Sequence, residues 1–328
     1  MKQTRTLILA PIRGITDAPY RNAFAHCFGG FDRAIAPFIQ LRQGQRLRSG
    51  ELLQVTHESN RAMRTIPQLL TNHPRTFSAV LRQLHNAGHE EVNWNLGCPY
   101  PMVAGRGRGA GLLPHPDRID IILSEVLNKA KVRLSVKMRL GYHDPDEYQA
   151  VMEVLNRYPL SEVILHARTA DQMYDGTVDI VRAGQILSVC RHPFVYNGDI
   201  TISSRIQAFS QKLPGTSAWM IGRGALTCPF LPSQLKGLSL PSTDARIKQL
   251  REFHDLLLEG YRQRLSGPKH VMDKMLSQWE YLSLAFAKPH HLLNRIHRSN
   301  VSHYDANVDW AFDQPLADIS TSLQYILS

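Results

Sequence analysis

The sequence predicts an α/β protein, a parallel (β/α)8 barrel of the TIM type followed by a small all-helical C-terminal domain. Three observations carry this. Eight short apolar, strand-like runs recur along the first two thirds of the chain. Amphipathic stretches of helical period follow most of them. After about Pro232 the strand runs stop and only helical periodicity continues.

The strand runs fall at residues 6–11, 33–38, 65–70, 91–95, 133–139, 162–166, 194–197 and 218–221. Amphipathic helices are expected over 75–87, 116–129, 146–157, 179–190 and 203–209. The second unit is the weakest, and the polar stretch from Gln40 to Asn60 reads as an irregular or short-helical excursion. An open doubly wound sheet is the runner-up. It would carry a dinucleotide fingerprint after the first strand, and Ala10-Pro11-Ile12-Arg13-Gly14 is not one. Residues 1–238 are assigned to the barrel and 239–328 to the helical domain, with Ser239 to Asp244 as linker and N-cap. Helices are expected there over 245–264, 269–287, 290–296 and 315–326, with Pro268 and Pro289 at boundaries.

The 328 residues, 43% of them apolar, suffice for a sizeable core. No window approaches the roughly 18 apolar residues of a membrane span. No targeting segment is read at the N-terminus. Cys27, Cys98, Cys190 and Cys228 are widely spaced, which argues against a disulfide framework or a structural zinc and fits a reducing cytoplasm. The formal charge of +10 suits a polyanionic partner; a mildly basic enzyme without one is the alternative. Between Tyr261 and Arg298 seven basic residues are opposed by only Asp273 and Glu280, so one helical face reads as a clamp for a phosphate backbone.

Barrel chemistry collects at the C-terminal strand ends. The stretch Asn93-Trp94-Asn95-Leu96-Gly97-Cys98-Pro99 ends a strand in an amide and presents a lone thiol in a tight turn. The glycine-rich run Gly105 to Gly111 follows and reads as a loop built to move or admit a ligand. A cysteine placed there is a candidate acid or nucleophile, against the plainer reading of a small buried thiol. The other strand ends offer Pro11, Gln68, Lys137 with Arg139, and His166 with Arg168. The last two turns offer Asn197-Gly198-Asp199 and Gly222-Arg223-Gly224. Taken singly, most of these are ordinary polar residues. Taken together they suit a flavin: Gln68 and Asn95 for its pyrimidine edge, Lys137 for negative charge at N1–C2=O, and the last two turns for its phosphate.

Ala10-Pro11, the Asn-Leu-Gly-Cys-Pro block with Gly109-Ala110-Gly111-Leu112-Leu113, Val136-Lys137-Met138-Arg139-Leu140-Gly141, His166-Ala167-Arg168-Thr169, Asn197-Gly198-Asp199-Ile200 and Met220-Ile221-Gly222-Arg223-Gly224-Ala225 occur in order along the barrel. As a set they resemble the tRNA-dihydrouridine synthase family. The resemblance implies FMN as cofactor, NADPH as reductant and a uridine of the tRNA D-loop as substrate. It implies hydride transfer from FMN N5 to C6 of uracil and a proton at C5 from Cys98, which as an acid must be a thiol. It places Pro11, Gln68, Lys137, His166, Asn197, Gly198, Asp199, Gly222 and Arg223 around the cofactor, and Asn95 and Arg168 near the base. The base must leave its stack to react. Lys269, Lys274, Arg295 and Arg298 of the helical domain are expected on the tRNA body.

The chain departs from many relatives at Tyr100-Pro101-Met102, where they carry a basic residue. Arg106 and Arg108 are expected to replace that charge against tRNA phosphate. The loop from Cys98 to Leu113 resembles that of the bacterial C-type subgroup, which implies U16 as the target. Two other readings stay open. One is an FMN oxidoreductase of a free pyrimidine, like the dihydroorotate dehydrogenases; the other is an RNA-binding barrel without catalysis. A cytoplasmic protein with no membrane contact and no obligate protein partner is expected.

Overall fold

The computed structural model describes residues 5–128 and 130–318. Ten short parallel strands form one sheet: β1 (Thr6–Leu9), β2 (Arg33–Ile35), β3 (Ile39–Gln40), β4 (Thr65–Ile66), β5 (Gln68–Leu70), β6 (Glu91–Leu96), β7 (Arg133–Arg139), β8 (Val163–His166), β9 (Phe194–Asn197) and β10 (Ala218–Ile221). They order as β3-β5-β6-β7-β8-β9-β10-β1-β2-β4. β2 pairs with β4 and β3 with β5, so the order closes on itself into a ring of eight strand positions. Pro37 and Pro67 lie at the two interruptions, because proline has no N–H for the ladder. Pairing resumes on either side, where Ala36 N–H donates to Ile66 (2.9 Å) and Leu41 N–H to Leu70 (3.0 Å). β4 and β5 fall within the one strand run 65–70, whereas the run 33–38 holds β2 and stops short of β3; every run coincides with an observed strand.

The two-residue side-chain period of a strand sorts the interior from the exterior. Along β7, Leu134, Val136 and Met138 belong to the main core outside the ring. Ser135, Lys137 and Arg139 therefore point inward. The barrel interior is apolar on one side, where Ile8, Ile35, Ile66, Ile164, Val195 and Met220 cluster. It is polar on the other, where Gln68, Asn93 and Ser135 are fully buried.

The helices Pro74–Asn86, Pro116–Leu127, Tyr148–Leu155, Ile180–Val189 and Ser203–Lys212 occupy the expected crossovers. A helix at Ala18–Cys27 was not anticipated; Asp17 caps it by accepting from Tyr20 N–H (3.2 Å), with Pro19 in its first turn. Its buried Arg21 donates to Asn60 Oδ1 (2.9 Å) and to the Gln54 carbonyl (2.6 Å), fixing the excursion that carries the short helix Ser49–Leu53.

The C-terminal region consists of helices Thr243–Arg262, Pro268–Leu282, Pro289–His297 and Tyr304–Phe312. The last was not expected. The helix anticipated from Pro315 does not begin there. Leu316 is extended and bridges Phe286, and Ala317 N–H donates to Ala285 (2.8 Å); residues 319–326 of that segment lie outside the described residues. These helices share the main core with the barrel, and Phe253 meets Tyr20 edge-on at 5.4 Å. Tyr261 donates to Asp17 (3.0 Å), tying them to the rim after β1. Among the described residues no helix is long and apolar enough to cross a membrane.

Candidate active site

A cleft of about 1090 Å³, its open mouth included, lies at the C-terminal ends of the strands. Pro11 lines it from the end of β1, Gln68 from β5, and Asn95 and Cys98 from β6 and its turn. Lys137 and His166 enter from β7 and β8. The turns after β9 and β10 add Asn197, Gly198, Asp199, Gly222 and Arg223. The sequence reading is thus brought together at one place for eleven residues.

The wall at β5–β7 is a chain of amides with one allowed orientation. Asn95 Oδ1 accepts from the N–H groups of Gly97 (3.0 Å) and Cys98 (2.9 Å). That fixes Asn95 Nδ2 as the donor to Gln68 Oε1 (2.8 Å). Gln68 Nε2 then donates to Asn93 Oδ1 (2.7 Å), and Asn93 Nδ2 to Ser135 Oγ (2.9 Å). From the other side, Arg139 Nε donates to the Gly97 carbonyl (3.0 Å) and Nη1 to Thr169 (2.7 Å). The turn that presents Cys98 is therefore held at both its N–H and its C=O groups. Arg139, noted in the sequence only as the companion of Lys137, is the residue that does the second part.

The second half of the glycine run, Gly109 to Gly111, is packed, while Gly105 and Arg106 are exposed. Gly109 has φ +56, and a Cβ there would lie 2.8 Å from the Cys98 carbonyl oxygen and 2.9 Å from Cys98 Cβ. Gly109 to Leu112 form a buried 3-10 turn against Cys98. This packed half keeps the thiol in place.

Burial raises the Cys98 thiol above its ordinary value, while Arg139, Arg13 and Lys137 oppose the shift. At neutral pH the group is a thiol with cations close enough to favour the thiolate once a proton has left. Lys137 is lowered to about 7, first by burial and then by Arg139. Among the described residues its ammonium has no hydrogen-bond or ion-pair partner. His166 is held well below its ordinary value by burial and four neighbouring cations, so it is neutral. Its Nε2 faces Arg168 Nη1 at 3.2 Å, and a guanidinium can only donate. The proton of His166 therefore sits on Nδ1.

Arg168 does not line the cleft. It is 1% exposed and its donors are committed behind His166: Nε to the Asp175 carbonyl (3.1 Å), Nη2 to Gly176 (2.6 Å) and to Asp199 (2.8 Å). The expected contact with substrate is corrected to a supporting one, because the loop after β8 folds over the guanidinium. That loop also brings in Tyr174, which the sequence did not flag. Its ring lies 5.3 Å from the Arg139 guanidinium and 5.4 Å from that of Arg223, at the cleft edge.

The mouth at β9–β10 is built from backbone. None of the N–H groups of Asp199, Ile200 and Thr201 donates to a described backbone carbonyl, and those of Arg223 and Gly224 open a short helix. A Cβ at Gly224 would collide with the Ile200 carbonyl oxygen, so only glycine lets these two turns meet. Arg223 lies 3.5 Å from Asp199 Oδ1.

Outside the cleft the predicted basic contacts divide. Arg106 is exposed, whereas Arg108 is buried, with Nε on Asn72 Oδ1 (3.3 Å). Arg108 is corrected from a direct phosphate contact, because positive-φ turns at Gly107 and Gly109 fold it inward. Lys274 is likewise drawn into the fold, pairing with Asp17 (2.8 Å) and donating to the Gly14 carbonyl. Arg295 is exposed, stacks 4.0 Å over Trp310 and donates to Asn307 (2.8 Å). Lys269 and Arg298 are exposed.

The sequence profile described as Dihydrouridine synthase (Dus) matches residues 8–302. A probable tRNA-dihydrouridine synthase of Rhodobacter capsulatus is 29% identical over 272 residues, covering 79% of this chain and 80% of that one. The tRNA-dihydrouridine synthase B of Proteus vulgaris is 28% identical, covering 81% and 84%. These names do not include the C-type subgroup suggested by loop length. Among solved structures, the old yellow enzyme homologue of Zymomonas mobilis has TM-score 0.52 at 12% identity, covering 72% of this chain and 90% of that one. Morphinone reductase in complex with tetrahydroNAD has TM-score 0.52 at 11% identity, covering 73% and 88%. At such identities the likeness is one of barrel fold.

Proposed function

Because the chain belongs to the dihydrouridine synthase family, we propose that its cleft reduces the C5=C6 bond of a tRNA uridine, with FMN as cofactor and Cys98 as proton donor. The carrying observation is a buried thiol pinned through its own turn by Asn95 and Arg139 at the end of a barrel strand. FMN fits the residues present. Lys137, half-buried and without a hydrogen-bond or ion-pair partner among the described residues, is of the kind that gains a proton against a reduced isoalloxazine, and the amides of Gln68 and Asn95 keep one N–H each for a pyrimidine edge. The free N–H groups at Asp199 to Thr201 and Gly222 to Gly224, with Arg223, suit its phosphate. The bound flavin supplies the hydride for C6, replenished by a nicotinamide, for which we take NADPH.

Cys98 gives its S–H proton to C5, so one hydride and one proton together saturate the double bond. The thiolate left behind faces Arg139, Arg13 and Lys137 until solvent reprotonates it. Asn95 holds the turn that carries the thiol in place at the end of its strand. His166, with its proton on Nδ1, offers a neutral donor to the cofactor side of the cleft. The exposed Tyr100 and Tyr174 at the cleft edge give a flipped base two aromatic surfaces. Lys269, Arg295 and Arg298 offer exposed charge to the tRNA body. The loop from Cys98 to Leu113 favours position 16 of the D-loop.

The test is direct. Protein with FMN and NADPH is given unmodified tRNA, free uracil or dihydroorotate, and products are read by mass spectrometry. Dihydrouridine in tRNA alone is expected. Turnover of a free pyrimidine, or none of tRNA, would overturn the reading. Mapping the modified position in the same tRNA decides between position 16 and the other D-loop sites.

A further inference from the structure

The rim beside the Cys98 loop gathers positive charge that nothing in the cleft uses. Arg42 follows β3, Asn72 and His73 follow β5, Arg106 and Arg108 lie in the loop after β6, and Arg118 opens the next helix. All stand on the C-terminal side of the barrel. The Arg118 guanidinium abuts Gly107, where a Cβ would come within 3.0 Å of its Nη1. Asn72 Nδ2 donates to the carbonyls of Arg106 (3.0 Å) and Gly107 (3.0 Å), which ties the two loops together.

Arg108 sits at the centre and is 8% exposed. Its Nη1 is buried with no hydrogen-bond partner, and its Nη2 meets only His73 Nε2 at 3.5 Å. Among the described residues no carboxylate pairs with Arg42, Arg106, Arg108 or Arg118; Asp117 beside Arg118 is exposed and in no ion pair. The field is one-signed. Burial, Arg106 and Arg42 all push Arg108 below its ordinary value, and burial, Arg108 and Arg118 do the same to His73. A buried guanidinium without a counter-ion is costly unless an anion arrives.

We propose that Arg42, Arg106 and Arg118, exposed around the buried Arg108, bind consecutive backbone phosphates of the RNA strand that delivers the reacting base. The inference rests on RNA being the substrate and names the part of it that this rim holds. The shape favours a polymer. Arg106, Arg108 and Arg118 line neither the cleft nor the groove beside it, whereas small molecules take concave sites. Arg42 also borders a groove of about 1420 Å³ that runs from Arg13 and Phe38 at the cleft to Lys274 of the helical region. A strand leaving the cleft along that groove reaches Arg42 and then the Cys98 loop.

The experiment compares holoenzyme with the triple variants Arg42→Ala/Arg106→Ala/Arg118→Ala and Arg42→Lys/Arg106→Lys/Arg118→Lys. The dissociation constant for tRNA is read across a salt series, and that for NADPH in parallel. Each phosphate contact contributes ~0.7 to the log–log salt slope of a single strand, so the alanine variant should lose roughly 2 from it, with affinity down about tenfold to a hundredfold. The lysine variant should keep the slope. An unchanged slope overturns the proposal, as does weaker binding at unaltered slope, since neutral contacts were then lost. Weakened NADPH binding with intact tRNA binding also overturns it, and gives the cluster to the nucleotide phosphate. Failure of the unsubstituted protein to bind tRNA at any salt removes the dihydrouridine reading itself and this one with it.

Discussion

The two walls of the cleft are built by opposite means. At β5–β7 side chains interlock: Gln68, Asn93, Asn95 and Ser135 form one oriented chain, and its last acceptor holds the Cys98 turn. At β9–β10 the work is done by bare backbone, with glycine at the one place where the turns touch. On the proposed function, the first wall fixes where a proton leaves and the second where an anion rests. The two should therefore fail separately.

Gly109→Ala attacks the first wall through its backbone neighbour. The added carbon displaces Cys98, and a shift of ~1 Å in a reacting group costs on the order of a hundredfold in rate. Dihydrouridine formation should fall by that factor while flavin absorbance is retained. Gly224→Ala attacks the second wall. Strain of ~1–3 kcal/mol at the β9–β10 contact should weaken FMN binding roughly tenfold to a hundredfold, with the alkylation rate of Cys98 unchanged. If either variant damages both properties equally, the walls are not independent.

The walls also differ in how far the sequence disclosed them. Alternation along β6 and β7 shows that Asn95 and Lys137 share a face, because a strand has a fixed two-residue period. Glycines at 198, 222 and 224 mark the second wall, but bare backbone leaves no side chain to read. Loop direction was hidden in both. Arg108 and Arg168 look as available as Arg106 and Arg223 in sequence, and positive-φ turns and the Asp175–Gly176 carbonyls turn them inward. Lys274 faces Asp17 only because two remote segments dock. The helix Ala18–Cys27 had a legible signal in Asp17 and Pro19 that periodicity alone passes over.

Smaller effects sharpen the contrast. Asn95→Ala leaves the buried Cys98 N–H without its acceptor, at a cost of ~1–3 kcal/mol. The urea midpoint should fall accordingly, with FMN affinity less affected than turnover. Lys137→Met should change how stability follows pH in flavin-free protein. The folded value of Lys137 is about 7, below that of the unfolded chain, so the unfolded state binds more protons between there and the ordinary lysine range. Stability should rise with pH across that window and lose part of the slope in the methionine variant. An unchanged slope would mean that Lys137 is not desolvated.

The central claim is that Cys98 is the proton donor, and single-turnover oxidation of the reduced flavoprotein by tRNA tests it most directly. In the Cys98→Ala holoenzyme the flavin should stay bound, while its oxidation by tRNA slows by about a hundredfold to ten-thousandfold and dihydrouridine is absent. Oxidation at the unsubstituted rate with dihydrouridine formed would contradict the account.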